Sequence, residues 1–125
     1  MTRRIAMRKR ILAVFLTSVL LLASACRSYH IDSTVENRTG APIQLLEVDY
    51  PSASFGADQI AAGASFHYRF QVRLSGPLKV TYTAADGKQV QITGPNLNEG
   101  QRGQLDIVLL PGAKAEFHPH LIPSS

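Results

Sequence analysis

The stretch LKVTYTAADGKQVQIT, residues 78 to 93, holds two runs of alternating apolar and polar side chains on either side of a turn sequence. Alternation with a period of two is typical of strands that bury one face. A two-residue turn would set Tyr82 opposite Gln91 and place a core side chain across from a solvent-facing one. A three-residue loop at 85–87, with its glycine in the left-handed region, pairs Tyr82 with Val90 instead. We therefore predict a β-hairpin with this longer loop.

The same alternation recurs along the chain after residue 30, where helical periodicity is nearly absent. In SFHYRFQVRL, residues 65 to 74, every second side chain is aromatic or aliphatic. Between Ile43 and Tyr50 the pattern shifts by one residue, which predicts a β-bulge near Leu45 and Leu46. The side chains predicted to share the buried faces are Ile31, Ser33, Val35, Ile43, Leu45, Leu46, Val48, Tyr50, Phe66, Tyr68, Phe70, Val72, Leu74, Leu78, Val80, Tyr82, Ala84, Val90, Ile92, Leu105, Ile107 and Leu109.

Turn sequences separate these runs: NRTGAP, AAGA, LSGP and GPNLNEGQRG. They consist largely of Gly, Pro and Asn, which turns require. Short strands at this spacing are typical of a β-sandwich, and about 100 residues suit one domain. The sequence therefore predicts an all-β fold, a single small antiparallel β-sandwich of six to seven strands over residues 31–111. A Pro-rich tail at 112–125 is predicted to be extended or disordered.

The segments VENRTGAPIQLLEV, SFG and IAAGASFHYRF, between residues 35 and 70, form a further pattern. A strand ends in Asn, a Gly-x-Pro turn follows, and a Gly precedes the next strand. The pattern resembles small immunoglobulin-like modules of bacterial envelope proteins and of the Hydin-type family. That resemblance implies an immunoglobulin-like fold and a structural or adhesive role. The residues that carry it are Asn37, Gly40, Pro42, Phe55, Gly63 and Ser65.

The N-terminus has the pattern of a secretory signal. Residues 1–10 carry five of the thirteen Lys and Arg residues and no acid, and residues 11–22 are apolar except for Thr17 and Ser18. A basic segment followed by a short apolar one is the arrangement that directs export. A membrane-spanning helix needs about 20 apolar residues, and this run is shorter. We therefore predict a cleaved signal helix over residues 1–25.

The segment Ala23-Ser24-Ala25 stands directly before Cys26, the only cysteine in the chain. It resembles the lipobox of bacterial lipoproteins. The resemblance implies cleavage between Ala25 and Cys26, a diacylglyceryl group on the Cys26 thiol, and an acyl chain such as palmitate on the freed amine. Two or more acyl chains hold a protein stably on a membrane. Arg27, in the position that sorts such proteins, implies the outer membrane.

The same small residues also fit a general signal peptidase, which would release a soluble protein with a free thiol. A lone cysteine in an oxidising compartment favours the lipoprotein interpretation, because acylation accounts for it. The remaining tether, residues 26–30, reaches at most about 18 Å when extended. The domain is therefore expected to lie against the membrane.

Removal of the signal changes the charge of the protein. The full chain carries +4, whereas residues 26–125 hold 8 basic and 9 acidic residues. The basic character therefore belongs to the signal. Without a basic field, nucleic acid is not an expected partner. The expected partners are the membrane, through Cys26, and another envelope protein.

Four histidines are candidates for metal binding or catalysis. His118 and His120, in the sequence FHPH, would lie on one side of an extended segment as weak candidate metal ligands. A pair without a third ligand is a poor chelate. His67 falls on the polar face of its strand, and His30 falls in the tether. We expect no bound metal and no cofactor.

The sequence also lacks a catalytic constellation. Glu47 and Asp49 share one strand face, an arrangement usually explained by solvation. The chain has no G-x-S-x-G nucleophile elbow, and its Gly-rich stretch lacks the Lys-Ser/Thr of a phosphate loop. We therefore expect a protein that is not an enzyme.

Two surfaces are candidates for binding a partner. The outward face of the 78–93 hairpin is flat, polar and nearly uncharged, which lowers the cost of covering it. The loop DYPSASFG places Tyr50 and Phe55 either as exposed anchors or as a buried closure of the sandwich. The hairpin residues in question are Thr81, Thr83, Gln89 and Gln91.

Two functions remain open from the sequence. The first is a lipid-anchored, non-catalytic envelope lipoprotein that binds another protein or serves as an accessory module of the outer membrane or periplasm. The second is a periplasmic carrier for a metal or another small ligand.

Overall fold

The structure is a computed structural model and describes residues 29–123. Its described residues contain no helix, and hence none of the length and apolarity that crossing a membrane requires. The predicted signal peptide, its cleavage site at Ala25 and the acylation site Cys26 lie outside this range. The eight strands are β1 (Ile31–Asn37), β2 (Ile43–Tyr50), β3 (Ala53–Ile60), β4 (Ser65–Phe70), β5 (Gly76–Thr83), β6 (Gln89–Leu97), β7 (Arg102–Leu110) and β8 (Lys114–Ile122).

The strands form two four-stranded sheets, one in the order β4-β1-β7-β8 and the other in the order β3-β2-β5-β6. We call them the first and the second sheet. The predicted all-β sandwich is confirmed. One pair departs from the antiparallel arrangement, because β1 and β7 run parallel. Between them the chain crosses to the second sheet and returns twice, through β2–β3 and through β5–β6, and both strands start at the same end.

Successive strands run in opposite directions, so their connections collect at two ends of the sandwich. We call the end at which β1 begins the proximal end and the end at which β1 finishes the distal end. The proximal segments are 29–30, 51–52, 71–75, 98–101 and 123. The distal segments are 38–42, 61–64, 84–88 and 111–113.

The core lies between the two sheets and forms one cluster. Alternation determines its membership, because every second side chain of a strand points inward. Phe117 of β8 lies against Gly94 of β6, where a Cβ would come within 2.8 Å of the ring. Gly94 therefore lets the two sheets approach at this edge. The fully buried large side chains are Ile31, Val35, Ile43, Val48, Leu78, Val80, Leu97, Leu105, Ile107 and Leu109.

The hairpin register predicted from residues 78–93 is confirmed. Tyr82 pairs with Val90, and Thr83 pairs with Gln89. The last bonded residues are Ala84 and Lys88, whose amide and carbonyl lie 2.8 Å apart. The loop is therefore 85–87, and its glycine has a φ of 84°.

The predicted β-bulge in β2 is also confirmed, but the predicted inward direction of Leu45 is wrong. The pairing of β2 with β5 shifts between Gln44 and Glu47. Leu45 takes a φ of 53° and is exposed, whereas Leu46 is buried. The extra residue must turn outward, since Leu46 continues the core face of the strand.

The long alternating run at residues 65–74 is not one strand. β4 ends at Phe70, and Val72 remains buried, but Leu74 is 60% exposed. Beyond Phe70 the chain leaves the first sheet to reach β5 in the second. Leu74 therefore lies in a connection, where alternation no longer decides burial. Tyr68 is 42% exposed because β4 is an edge strand.

The sandwich has eight strands rather than six or seven, because the segment predicted as a tail forms β8. The domain thus continues past residue 111. Of the two conformations predicted for the 112–125 tail, extended or disordered, Lys114–Ile122 takes the extended one. This segment pairs with β7 along its whole length. Its Pro119 obscured the strand in the sequence, since proline within a sheet is confined to strand starts, bulges and edge strands, and β8 is an edge strand. Ala115, Phe117 and Leu121 pack against the core.

Candidate functional surfaces

The outer face of the second sheet carries the hairpin residues predicted to bind a partner. Thr81 pairs with Gln91 and Thr83 with Gln89, as the predicted register requires. The row through Thr83 continues across the sheet to Gln44 and Gln59. These side chains form a polar surface and carry no charge themselves.

Two carboxylates lie on this face. Glu47 and Asp49 are two residues apart on β2 and point the same way. A hydrogen bond between their side chains, followed by the repulsion between their charges, raises the pKa of Glu47 above its usual value. Both side chains are at the surface, so the pair is a local feature of the polar face rather than an enclosed acid and base.

Tyr50 and Phe55 belong to an aromatic cluster that closes one edge of the sandwich. Phe55 is only 6% exposed, so it is not available as a surface anchor. Its ring lies 4.5 Å from that of Tyr68 and 5.5 Å from that of Phe70, between centroids. Tyr50 is half-buried against Phe70, and burial raises the pKa of its hydroxyl. The two aromatic residues therefore close the sandwich, but the predicted loop is wrong, because Tyr50 ends β2 and Phe55 lies in β3, with only residues 51–52 between the strands.

The outer face of the first sheet carries histidines and acids. His118 and His120 both lie on it, two residues apart on β8, as expected. Nε2 of His118 lies 3.2 Å from a carboxylate oxygen of Glu116. Asp106 of the neighbouring strand β7 is the register partner of His118. His67 bonds to the hydroxyl of Thr34 (2.9 Å). Among residues 29–123, no three His, Cys, Asp or Glu side chains are grouped as metal ligands.

Asn37 is fully buried at the distal end. Its side-chain amide donates to the carbonyls of Ala41 (2.8 Å), Ile60 (3.0 Å) and Ala61 (3.2 Å). Its side-chain oxygen accepts from the amide (3.1 Å) and hydroxyl (2.7 Å) of Thr39. Asn37 therefore joins the 38–42 and 61–64 connections, which both link the two sheets. From the sequence, Asn37 stood out only through a resemblance, although an Asn that closes an alternating strand is a signal for such a role.

A groove opens at the distal end between the β5–β6 loop and the β7–β8 turn, and we call it the distal groove. Its volume is about 440 Å³, and most of its lining is apolar. Tyr82 lies in its lining, and burial raises the pKa of this tyrosine. The groove could not be predicted from the sequence, because its two loops are far apart in the chain and carry no motif. Its apolar lining includes Ile43, Tyr82, Ala85, Val90, Leu110 and Ala113.

Comparison with known proteins gives a structural neighbour. No protein-family model matches the sequence, and no curated protein matches it. The chain is similar to the NMR structure of a protein from Eubacterium rectale, with a TM-score of 0.53 and 14% sequence identity. The match covers 77% of this chain and 90% of that one. At this identity the likeness concerns the fold alone.

Proposed function

We propose that this protein is a lipid-anchored, non-catalytic envelope lipoprotein that binds another envelope protein at its distal end. One observation carries the proposal. The chain enters the sandwich at the proximal end, and the distal groove opens at the opposite end. An anchor just before the domain would thus leave the groove accessible.

The lipobox supports the anchored part of the proposal. Cys26 precedes Tyr29, the first described residue, by three positions. Three residues span at most about 11 Å, so acylation of Cys26 brings the proximal end close to the bilayer. With Arg27 next in the chain, the outer membrane facing the periplasm is the expected location. The distal groove then lies about one strand length, roughly 27 Å, farther from the membrane.

The distal groove supports the binding part. Its apolar lining suits an apolar side chain of a protein partner, since interface anchors commonly fill such desolvated pockets. Asp86 and Lys88 also line it and offer polar contacts for orientation. The polar face of the second sheet begins at the same hairpin, so a partner on the groove can extend over Thr83 and Gln89.

A Cys26→Ser variant tests the anchor. We expect an uncleaved or mislocalised precursor, because the acylated thiol is what the lipoprotein-processing enzymes recognise in proteins with this motif. The measurement is membrane fractionation with mass spectrometry of the mature N-terminus, and Ser28→Ala is the matched control. A Cys26→Ser protein that is still cleaved normally and released in soluble form would contradict the anchor.

Photocrosslinking tests the groove. A crosslinker at Ala85 in the groove is compared with one at Ala62, an exposed alanine of another distal connection. We expect a protein adduct in intact membranes at Ala85 and none at Ala62, and loss of that adduct with Ala113→Glu. Equal crosslinking at both positions, or an adduct that Ala113→Glu leaves unchanged, would reject the groove as the binding site.

A small-ligand carrier is the second candidate, because the volume and apolar lining of the groove also fall in the range of small-molecule sites. Mass spectrometry of protein purified under native conditions tests it. A stoichiometric organic ligand lost with Ala113→Glu would favour the carrier. For a metal, analysis of the wild type against His118→Ala and His120→Ala decides, and absence of stoichiometric metal rejects that version.

A further inference from the structure

The proximal end has a defined surface, because main-chain hydrogen bonds tie its segments together. The amide of Gly103 donates to the carbonyl of His30 (3.1 Å). The amide of Gly100 donates to the carbonyl of Val72 (2.9 Å), which joins the 98–101 and 71–75 connections. His30 is therefore already fixed to the first sheet, and the free part of the predicted tether is shorter than residues 26–30.

Exposed apolar side chains collect at this end. Of the five large hydrophobic side chains exposed among residues 29–123, three lie here. The exposed fractions are 60% for Leu74, 54% for Ile122 and 37% for Tyr29. Leu74 lies in the 71–75 connection, Ile122 ends β8, and Tyr29 precedes β1. The other two, Leu45 and Tyr68, lie within β2 and β4, and the distal connections expose no comparable side chain.

Two arginines accompany these side chains. Arg73 precedes Leu74 in the chain, and Arg102 is the register partner of Ile122. The guanidinium of Arg102 lies over the Tyr29 ring, 5.9 Å from its centroid. An arginine can lay its apolar stem along such a surface and keep its charge at a polar boundary. The acid Glu99 lies at this end as well.

We propose that the proximal end rests on the bilayer, with Leu74, Ile122 and Tyr29 in the headgroup region and Arg73 and Arg102 at lipid phosphates. The proposal rests on the acylated Cys26 proposed above, which holds this end at the membrane. Burial of aliphatic side chains there is favourable, and tyrosine suits the membrane–water boundary.

Contact between the proximal end and the bilayer fixes the orientation of the domain relative to the membrane, which a flexible tether alone does not do. With the proximal end on the lipid, the distal groove faces away from the membrane. The groove is then held at a constant height, available to a partner in the aqueous compartment.

Site-directed spin labelling of the mature, acylated protein, residues 26–125, in vesicles of phosphatidylethanolamine and phosphatidylglycerol tests the contact. Because Cys26 is the only native cysteine, an added cysteine is the only thiol left to label once Cys26 is acylated. Separate variants Leu74→Cys and Ile122→Cys place nitroxides at the proximal end, and Ala62→Cys is the distal control. Thermal melts show that each labelled variant is folded.

We expect the labels at positions 74 and 122 to be several-fold more accessible to oxygen, relative to a water-soluble nickel complex, than the label at position 62. Arg73→Glu with Arg102→Glu should reduce this difference on vesicles that contain phosphatidylglycerol.

If the protein is acylated and bound but all three labels are equally open to water, the proposed contact of the proximal end with the bilayer is wrong, whereas the proposed acylation of Cys26 is unaffected. Spin–spin broadening at positions 74 and 122 without immersion would identify a second copy as the occupant and overturn the proposal. An unmodified Cys26 would overturn both the proposed acylation and the proposed contact.

Discussion

At the scale of single residues, Asn37 shows how one buried side chain can position two connections. Both connections it bonds to carry the chain between the sheets, so their main-chain groups have few partners within a strand ladder. A carbonyl without a donor is costly when it is shielded from water, and the amide of Asn37 supplies donors to the carbonyls of Ala41 and Ala61, one in each connection. The distal end thus depends on a polar side chain inside an otherwise apolar interior.

Replacement of Asn37 tests this role. We expect Asn37→Ala to lower the free energy of unfolding by about 2 kcal/mol, because it leaves buried polar groups without partners. Asn37→Asp should cost more, since a carboxylate cannot donate to the carbonyls of Ala41 and Ile60. Urea denaturation measures both, with the exposed Asn96→Ala as control. An Asn37→Ala protein as stable as the Asn96→Ala control would contradict the role.

The carboxylate pair on β2 gives a pH dependence with a defined sign. The pKa of Glu47 is raised in the folded protein, so its protonated form is favoured by folding. Its contribution is therefore present at pH below the unfolded pKa and is lost as the pH rises through the folded value. Glu47→Gln removes the repulsion, and we expect a slightly higher Tm than wild type near neutral pH, with the difference vanishing in acid. A constant difference across the pH range would show that the pair is not its cause.

At the scale of elements, alternation predicts strands well where both faces keep a regular environment. The β5–β6 hairpin could be predicted to the register, because only the three-residue loop places Tyr82 across from Val90. β4 shows the limit, since the pattern of Tyr68, Phe70, Val72 and Leu74 continues after the strand has ended. Alternation reports which side chains are apolar, and it does not report where the chain changes sheets.

β8 is the opposite case, a strand that its sequence conceals. Pro119 and the surrounding polar residues are typical of a loose tail. The segment is a strand because it pairs with β7, the strand before it in the chain. The amino-acid composition of the segment does not reveal that pairing. Proline at such an edge also discourages further chains from adding to the sheet.

The packing of β8 can be measured with two neighbouring substitutions. Phe117→Ala removes a half-buried ring that lies against Gly94, and we expect a loss of about 2 kcal/mol of stability. His118→Ala, on the outward face, should stay within about 0.5 kcal/mol of wild type. Chemical denaturation of both variants gives the comparison. Equal effects would mean that β8 contributes little to the core.

At the scale of the whole molecule, local sequence patterns do not reveal which strands become neighbours. The parallel pairing of β1 with β7 joins segments about 70 positions apart, and no local pattern encodes it. The distal groove is unpredictable for the same reason, because it forms between loops of different sheets. The polar face, by contrast, follows from one hairpin, and its residues Thr81, Thr83, Gln89 and Gln91 could be named in advance.

The single core predicts how the domain unfolds. Because buried side chains from both sheets belong to one cluster, neither sheet can keep its core without the other. We expect one cooperative transition, with tyrosine fluorescence and far-ultraviolet circular dichroism giving the same midpoint and steepness in urea. Tyrosine serves as the fluorophore, since the chain has four tyrosines and no tryptophan. Midpoints that differ between the two signals would indicate sheets that unfold separately.

The position of β1 in the middle of its sheet has a consequence for the order of events in time. β1 is the first strand to be made, yet its two neighbours, β4 and β7, follow much later. Closing such distant pairings is slow compared with forming a hairpin. The first sheet therefore cannot close until nearly all of the chain has been made, and in the export that we propose this delay would leave the chain unfolded while it crosses the membrane.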